Sequence, residues 1–207
     1  MTNCNCEIEI KNNEQIRVLI ILMSINVFMF FIEMVFGILS ESTALIADSL
    51  DMLADATVYG ISLYAVGRTT LLKIKAAHIS GILQIILGTG VCLEVLRRLI
   101  WGSEPESLLI ITIGIMALIA NIICLLLISK HKNKEIHMRA SWIFSRNDVI
   151  ANLGVIISGG LVYLLNSRLP DLIIGMLMSI IIIRGGLYII RDARDEKQAQ
   201  TELDPDN

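Results

Sequence analysis

Uncharged apolar stretches alternate with short polar breaks along the chain, and six stretches stand out by length. A helix needs roughly 20 residues to cross about 30 Å of hydrocarbon. The candidates run from about Ile16 to Leu39, Thr43 to Val66, Ile79 to Ile100, Leu108 to Ile128, Ser141 to Leu165 and Leu172 to Ile190. None has the strict alternation of a barrel strand, so they read as helices, which satisfy their own backbone polar groups in lipid. The breaks carry turn and helix-stopping residues: Ser40-Glu41-Ser42, Ser103-Glu104-Pro105-Glu106-Ser107 and Asn166-Ser167-Arg168-Leu169-Pro170-Asp171.

The pattern therefore predicts an all-α polytopic membrane protein with six transmembrane helices. Its expected parts are an N-terminal tail over residues 1–15, a six-helix domain over 16–190, and a short charged tail over 191–207. That last tail is too short to bury a core of its own. Glu7, Glu9 and Glu14 precede the first run, whereas a secretory leader begins basic and ends at a small-residue cleavage site. The first run is therefore expected to stay as a helix.

Composition agrees with this reading. Of 207 residues, 55% are hydrophobic and 18% charged, against about 25% charged in soluble domains. A net charge of −3 and 5% aromatics argue against nucleic acid as a partner. Three His and four Cys make no disulfide scaffold. No phosphate loop, His-Glu-x-x-His or Gly-x-Ser-x-Gly occurs, and no nucleophile–base pair is evident. Neither ATP-driven transport nor enzyme activity is expected, and no prosthetic group.

Charge bias sets the expected orientation. One set of helix ends carries Lys11, Arg17, Arg68, Lys73, Lys75, Lys130, Lys132, Lys134, Arg139, Arg191, Arg194 and Lys197, and the other only Arg97, Arg98 and Arg168. By the positive-inside rule both termini are cytoplasmic, by default across the inner membrane of a bacterium.

The informative residues are acids inside the apolar runs. Each carboxylate near the bilayer centre costs roughly 2.5–3.5 kcal/mol on insertion scales. Asp51 and Asp55 sit four apart on the second run and share a helix face, with Asp48 on an adjoining face. The fifth run holds Asn147, Asp148 and Asn152. Counting at about 1.5 Å per residue puts Asp51, Asp55 and Asp148 within roughly two turns of one another, in the middle third of the membrane. Three unpaired charges there would cost on the order of 8–10 kcal/mol, so a cation, protons or a nearby base such as Arg146 must offset them. Carboxylates and amides suit hard or borderline divalent cations such as Mn²⁺, Fe²⁺, Co²⁺ or Zn²⁺. The candidate metal ligands are Asp51, Asp55 and Asp148, with Asn147, Asn152 and Asp48 as further candidates.

Other features carry bland readings beside functional ones. Cys4 and Cys6 form a Cys-x-Cys, a possible capture pair for a soft cation or simply two reduced thiols. Cys92 and Cys124 read as small apolar fillers, and His78, His131 and His137 as solvated or interfacial residues. Glu33 either structures the bundle or relays protons. Asn26 and Asn121 read as interhelical hydrogen-bond glue, and Gly81, Gly88, Gly90, Gly159 and Gly160 as close-packing positions. Arg184 is expected to snorkel toward the cytoplasm.

The stretch from Glu33 to Asp55, with Ser40, Ala44, Leu45, Ala47-Asp48-Ser49-Leu50 and Met52-Leu53-Ala54-Asp55, resembles the cation diffusion facilitator (cation efflux) family. Its members carry a Ser-x-Ala-Leu-x-(Ala/Thr)-Asp-(Ser/Ala) stretch followed by a His/Asp-x-x-x-Asp pair. Asn26, Glu94 with Arg97 and Arg98, Pro105-Glu106, Asn121, Asp148 and Pro170-Asp171 are similar as well, so the resemblance covers nearly the whole chain. It implies a six-helix, usually dimeric, divalent metal/proton antiporter that exports cytosolic metal. It also implies a tetrahedral site with two ligands from helix two and two from helix five. Asp51 and Asp55 match the first pair and Asp148 the second helix-five ligand.

The remaining family ligand position falls on Phe144, which cannot bind metal; Asn147, Asn152, Ser145 or water would then fill the place. The loop between helices four and five holds only His131 and His137, not a His-rich run. The sequence shows no counterpart of the family's C-terminal cytoplasmic domain, so a homodimer would rest on the membrane helices. The leading expectation is a secondary transporter exporting a divalent metal by proton antiport, with the metal as substrate and metal ion, protons and lipid bilayer as partners. The alternative is a transport-inactive, membrane-embedded metal-binding or regulatory subunit of the same fold.

Overall fold

The computed structural model of the protein describes residues 3–65, 70–129 and 136–203. Six helices follow one another: α1 (Asn3–Leu39), α2 (Thr43–Ala65), α3 (Thr70–Trp101), α4 (Ser107–Ser129), α5 (Ile136–Leu165) and α6 (Leu169–Leu203). No strand occurs among the described residues. Among the described residues, five helices contain a stretch long and apolar enough to cross a membrane: Ile16–Leu39, Ile74–Trp101, Ser107–Ser129, Arg146–Leu165 and Leu169–Gln198. α2 differs because Asp48, Asp51 and Asp55 sit in the middle of its 23 residues, so any 18-residue stretch of it contains all three.

Much of the apolar surface points away from the bundle. Phe28, Phe31 and Ile100 are 65%, 61% and 71% exposed. Water would penalise so continuous an apolar exterior, whereas lipid tails match it. The chain is an all-α, polytopic integral membrane protein.

The helices outrun the apolar stretches that announced them. α1 begins at Asn3, α3 at Thr70 and α5 at Ile136, and α6 continues to Leu203. The flanking residues are charged, but hold no Pro or Gly that would stop a helix. Hydropathy marks where a helix can meet lipid and says little about where its hydrogen bonding ends.

α3 packs closely along α6, α1 along α2, and α4 along α5, while α2 also touches α3, α5 and α6. The α3–α6 approach requires glycine. A Cβ on Gly81 would stand 2.7 Å from the Gly186 carbonyl oxygen, and one on Gly186 would stand 2.6 Å from that of Gly81. Gly88 and Gly159 are equally crowded, against Ile183 and Ile110. Gly90 and Gly160, expected at contacts too, have nothing within 4 Å, because their own helix faces turn away from neighbours.

One end of the bundle, the turn end, carries the α1–α2, α3–α4 and α5–α6 turns; the other is the terminal end. Glu41 and Asn166 adopt positive φ in two of these turns, at 48° and 45°. Ser42 caps α2 by accepting the Leu45 N–H at 3.1 Å. Asp171, from the first turn of α6, accepts the Ser42 hydroxyl at 2.5 Å, the Thr43 N–H at 2.6 Å and the Ala44 N–H at 3.2 Å. A fully buried carboxylate thus closes the N-terminus of a neighbouring helix, where free N–H groups and the helix dipole favour negative charge. The Glu106 N–H donates to the Ser40 carbonyl at 2.9 Å and ties the α3–α4 turn to the same corner. Below it lies the largest apolar cluster, built on Ala44, Leu45, Val91, Val95, Ile110, Val155 and Leu172. A second cluster, Leu19, Leu22, Tyr59, Cys124 and Ile128, lies nearer the terminal end.

Candidate metal centre

The acids of α2 lie between these two apolar clusters. At about 100° of turn per residue, Asp48, Asp51 and Asp55 fall within roughly 60° of arc. Packing nevertheless divides them. Asp48 is 2% exposed and meets the carboxyl of Glu33 from α1, itself wholly buried. Asp51 and Asp55 turn instead toward α5 and α6 and remain half-buried.

There they line a cavity of about 260 Å³ together with Asp148 and Asn147 of α5, Gln84 of α3, and Arg184 and Tyr188 of α6. A second cavity of about 330 Å³ shares Asp51, Asn147, Asp148 and Ile181 with the first. Its other walls are Ile150, Ala151 and Gly154 of α5 and Ile174, Leu177 and Met178 of α6. Helix direction places the two on opposite sides of the acids. The first reaches Val58 and Ile189, toward the terminal end, and the second Gly154 and Ile174, toward the turn end. The acids therefore sit where two crevices meet.

Asp55 and Asp148 reach each other within hydrogen-bonding range. Two ionised carboxylates in contact repel, so the contact persists only if a proton or a cation lies between them. Tyr59, buried one turn beyond Asp55, stands near the same pair. No three His, Cys, Asp or Glu side chains among the described residues already form a closed ligand set. The donors share a cavity, and a cation entering it would have to draw them closer. Carboxylate and amide oxygens suit a divalent ion of hard to borderline character.

The further candidates separate. Asn147 lines both cavities. Asp48 and Asn152 line neither: Asp48 faces α1, and Asn152 is fully buried with its Nδ2 donating to the Asp148 carbonyl at 2.8 Å. The side chains of Cys4, Cys6, Phe144, Ser145 and His137, and all of His131, lie outside the described residues. His78 is exposed on α3. Cys92 is half-buried and Cys124 buried, the latter 3.9 Å from Asn26 Nδ2. Glu94 pairs within its own helix with Arg97 at 2.7 Å and Arg98 at 2.6 Å, far along α3 from the acids.

Sequence reasoning passes over Gln84 and Tyr59, and assigns Arg184 only a snorkelling role. Gln84 carries a signal all the same: it is the one amide in a run from Ile79 to Leu93 whose other polar side chains are the small hydroxyls of Ser80 and Thr89.

The chain matches the family model of the cation efflux transmembrane domain over residues 19–196. It is 25% identical over 178 residues to the zinc transporter ZitB of Escherichia coli, covering 80% of this chain and 57% of that protein. It is 22% identical over 176 residues to a cadmium, cobalt and zinc/H(+)-K(+) antiporter of Bacillus velezensis, covering 78% and 56%. A vacuolar zinc transporter of Saccharomyces cerevisiae is 30% identical over 133 residues, covering 58% of this chain and 30% of that one. The chain thus spans well under two thirds of the length of these relatives. With the family model matched over most of its length, the chain belongs to the cation efflux family.

Proposed function

We propose that the protein is a secondary transporter that exports a divalent metal cation in exchange for protons, not an enzyme. Asp51, Asp55 and Asp148 bind the metal when deprotonated, and protons entering from the opposite side compete for the same oxygens and release it. The observation that carries this reading is the meeting of those three carboxylates in one cavity between two apolar clusters. Isolated buried carboxylates are costly, and a travelling cation offsets that cost by turns with protons. The zinc, cadmium and cobalt named for the relatives lend support to a divalent substrate.

In this reading α2 crosses the membrane as the sixth span, its acids shielded by four neighbouring helices. Both termini are cytoplasmic, since the described cations Arg17, Lys75, Arg191 and Arg194 gather at the terminal end. Residues 16–190 form the transport domain, flanked by charged extensions over 1–15 and 191–207, in a bacterial inner membrane and as a homodimer. The 260 Å³ cavity is then the cytoplasmic approach and the 330 Å³ cavity the outward one.

Everted vesicles containing the protein test the proposal. Imposing a pH gradient, acidic inside, should drive uptake of Zn²⁺, Co²⁺ or Mn²⁺, and collapsing the gradient should stop it. Metal flux that is indifferent to the gradient and survives Asp148→Ala would refute it.

A further inference from the structure

The α2 and α5 acids supply three oxygen-bearing side chains, while Phe144 stands where the family resemblance puts a further ligand. The opposite wall of the cavity supplies a candidate of a different origin. Gln84 of α3 is 7% exposed and lines the 260 Å³ cavity with Asp51, Asp55 and Asp148. Its Oε1 is buried and has no hydrogen-bond partner. It packs 3.2 Å from where a Cβ on Gly185 would stand, so the missing side chain at Gly185 gives the amide its room. A buried amide oxygen without a donor costs about 1–3 kcal/mol. That cost is offset if the oxygen meets a cation for part of the cycle. One half-turn about the terminal bond of the side chain exchanges amide nitrogen and oxygen, so the same residue can present either to the cavity.

Building on the transporter reading, we infer that Gln84 is the fourth protein ligand, making an all-oxygen site of three carboxylates and one amide that favours Zn²⁺ over Mn²⁺ less than a site with imidazole or thiolate would. The donor chemistry sets the preference. Imidazole and thiolate favour zinc, whereas carboxylate, carbonyl and water favour harder ions such as Mn²⁺. Charge is consistent with this set. A divalent ion on three carboxylates leaves one negative charge. A neutral amide in the fourth place adds none; a fourth carboxylate would.

The experiment uses the full chain in lipid nanodiscs, titrated with Mn²⁺ and with Zn²⁺ by calorimetry. Co²⁺ absorption is the second readout, because its visible bands report donor type and coordination number independently of transport. Wild type should bind both ions, with a smaller margin for Zn²⁺ over Mn²⁺ than Gln84→His. Gln84→Leu should weaken Mn²⁺ binding by roughly 10–100-fold, the scale of losing one supporting interaction at a metal site. Gln84→Glu, which keeps an oxygen, should bind Mn²⁺. Gln84→His should shift the Zn²⁺/Mn²⁺ preference toward zinc by at least about tenfold and alter the Co²⁺ spectrum. A packing role alone would not move the metal preference in this way.

Asp51→Ala separates the two claims. If it abolishes binding while Gln84→Leu binds like wild type, the amide ligand is overturned and the carboxylate site stands. If wild type binds no divalent ion, or Asp51→Ala changes nothing, both readings fall. If Gln84→Leu does not fold, Gln84→His decides alone, and an unchanged metal preference overturns the inference.

Discussion

Asp171 and Asp148 are both carboxylates enclosed by the bundle, and their surroundings are opposites. Asp171 has three donors aimed at it, the Ser42 hydroxyl and the N–H groups of Thr43 and Ala44. Asp148 faces other acids, Asp55 within reach and Asp51 across the same cavity. The first arrangement satisfies a charge permanently and fastens α6 to the start of α2. The second sets acids against one another beside an open cavity. Packing follows the same division: the turn end has a continuous apolar cluster under its hydrogen-bonded corner, whereas the acids sit where two crevices meet. A buried carboxylate alone therefore does not mark a binding site; what it faces, and whether a cavity opens beside it, tells Asp148 from Asp171.

Substitutions can break that contrast, and the largest effect is expected at the cavity. Asp55→Ala or Asp148→Ala should reduce metal flux in vesicles to background while leaving the detergent melting temperature unchanged or raised, since each removes a repulsive contact. A fall in stability as large as the loss of flux would mean that these acids hold the fold as Asp171 does. Next comes Asp171→Ala, which strands the Thr43 and Ala44 N–H groups. It should lower stability by about 1–3 kcal/mol, read by thermal or denaturant unfolding. Asp171→Asn, keeping one acceptor, should fall in between.

Gly81→Leu sharpens the comparison on the packing side. Its side chain would meet the Gly186 carbonyl and the Ile190 side chain, 2.7 and 2.6 Å from the new Cβ. Overpacking of this kind costs about 1–3 kcal/mol, and Gly90→Leu, facing open space, is its neutral partner. The smallest effect belongs to Arg97→Ala. Arg97 is 57% exposed and pairs with Glu94 three residues away in its own helix. Such an exposed pair contributes little, so a clear loss of stability on unfolding would show that Glu94 needs both arginines.

The family resemblance and the shared helix face of Asp51 and Asp55 are legible in the sequence, because helical periodicity is a local property. The same periodicity groups Asp48 with them, and there it is insufficient. Residues on one arc of α2 go to different partners according to which helix lies opposite, and α1 takes Asp48 through Glu33. Gln84 escapes a linear reading for a related reason. Its importance depends on Gly185 of α6 leaving it room and on facing α2, neither of which a stretch of α3 encodes. The helical extensions of α1, α3, α5 and α6 escape the apolar pattern because hydropathy reports lipid contact, not backbone hydrogen bonding.

By itself the sequence determined that the chain is a set of helices, several long and apolar enough to cross lipid, with acids at helical spacing on the second and an acid on the fifth, because both follow from the order of residues along one helix and the thickness of hydrocarbon. Only the tertiary structure decided which acids are answered by donors and which are left facing one another. That depends on what a second helix, distant in sequence, places across the gap, and with no water in the hydrocarbon to satisfy a stray charge, only such a neighbour or a bound ion can do so.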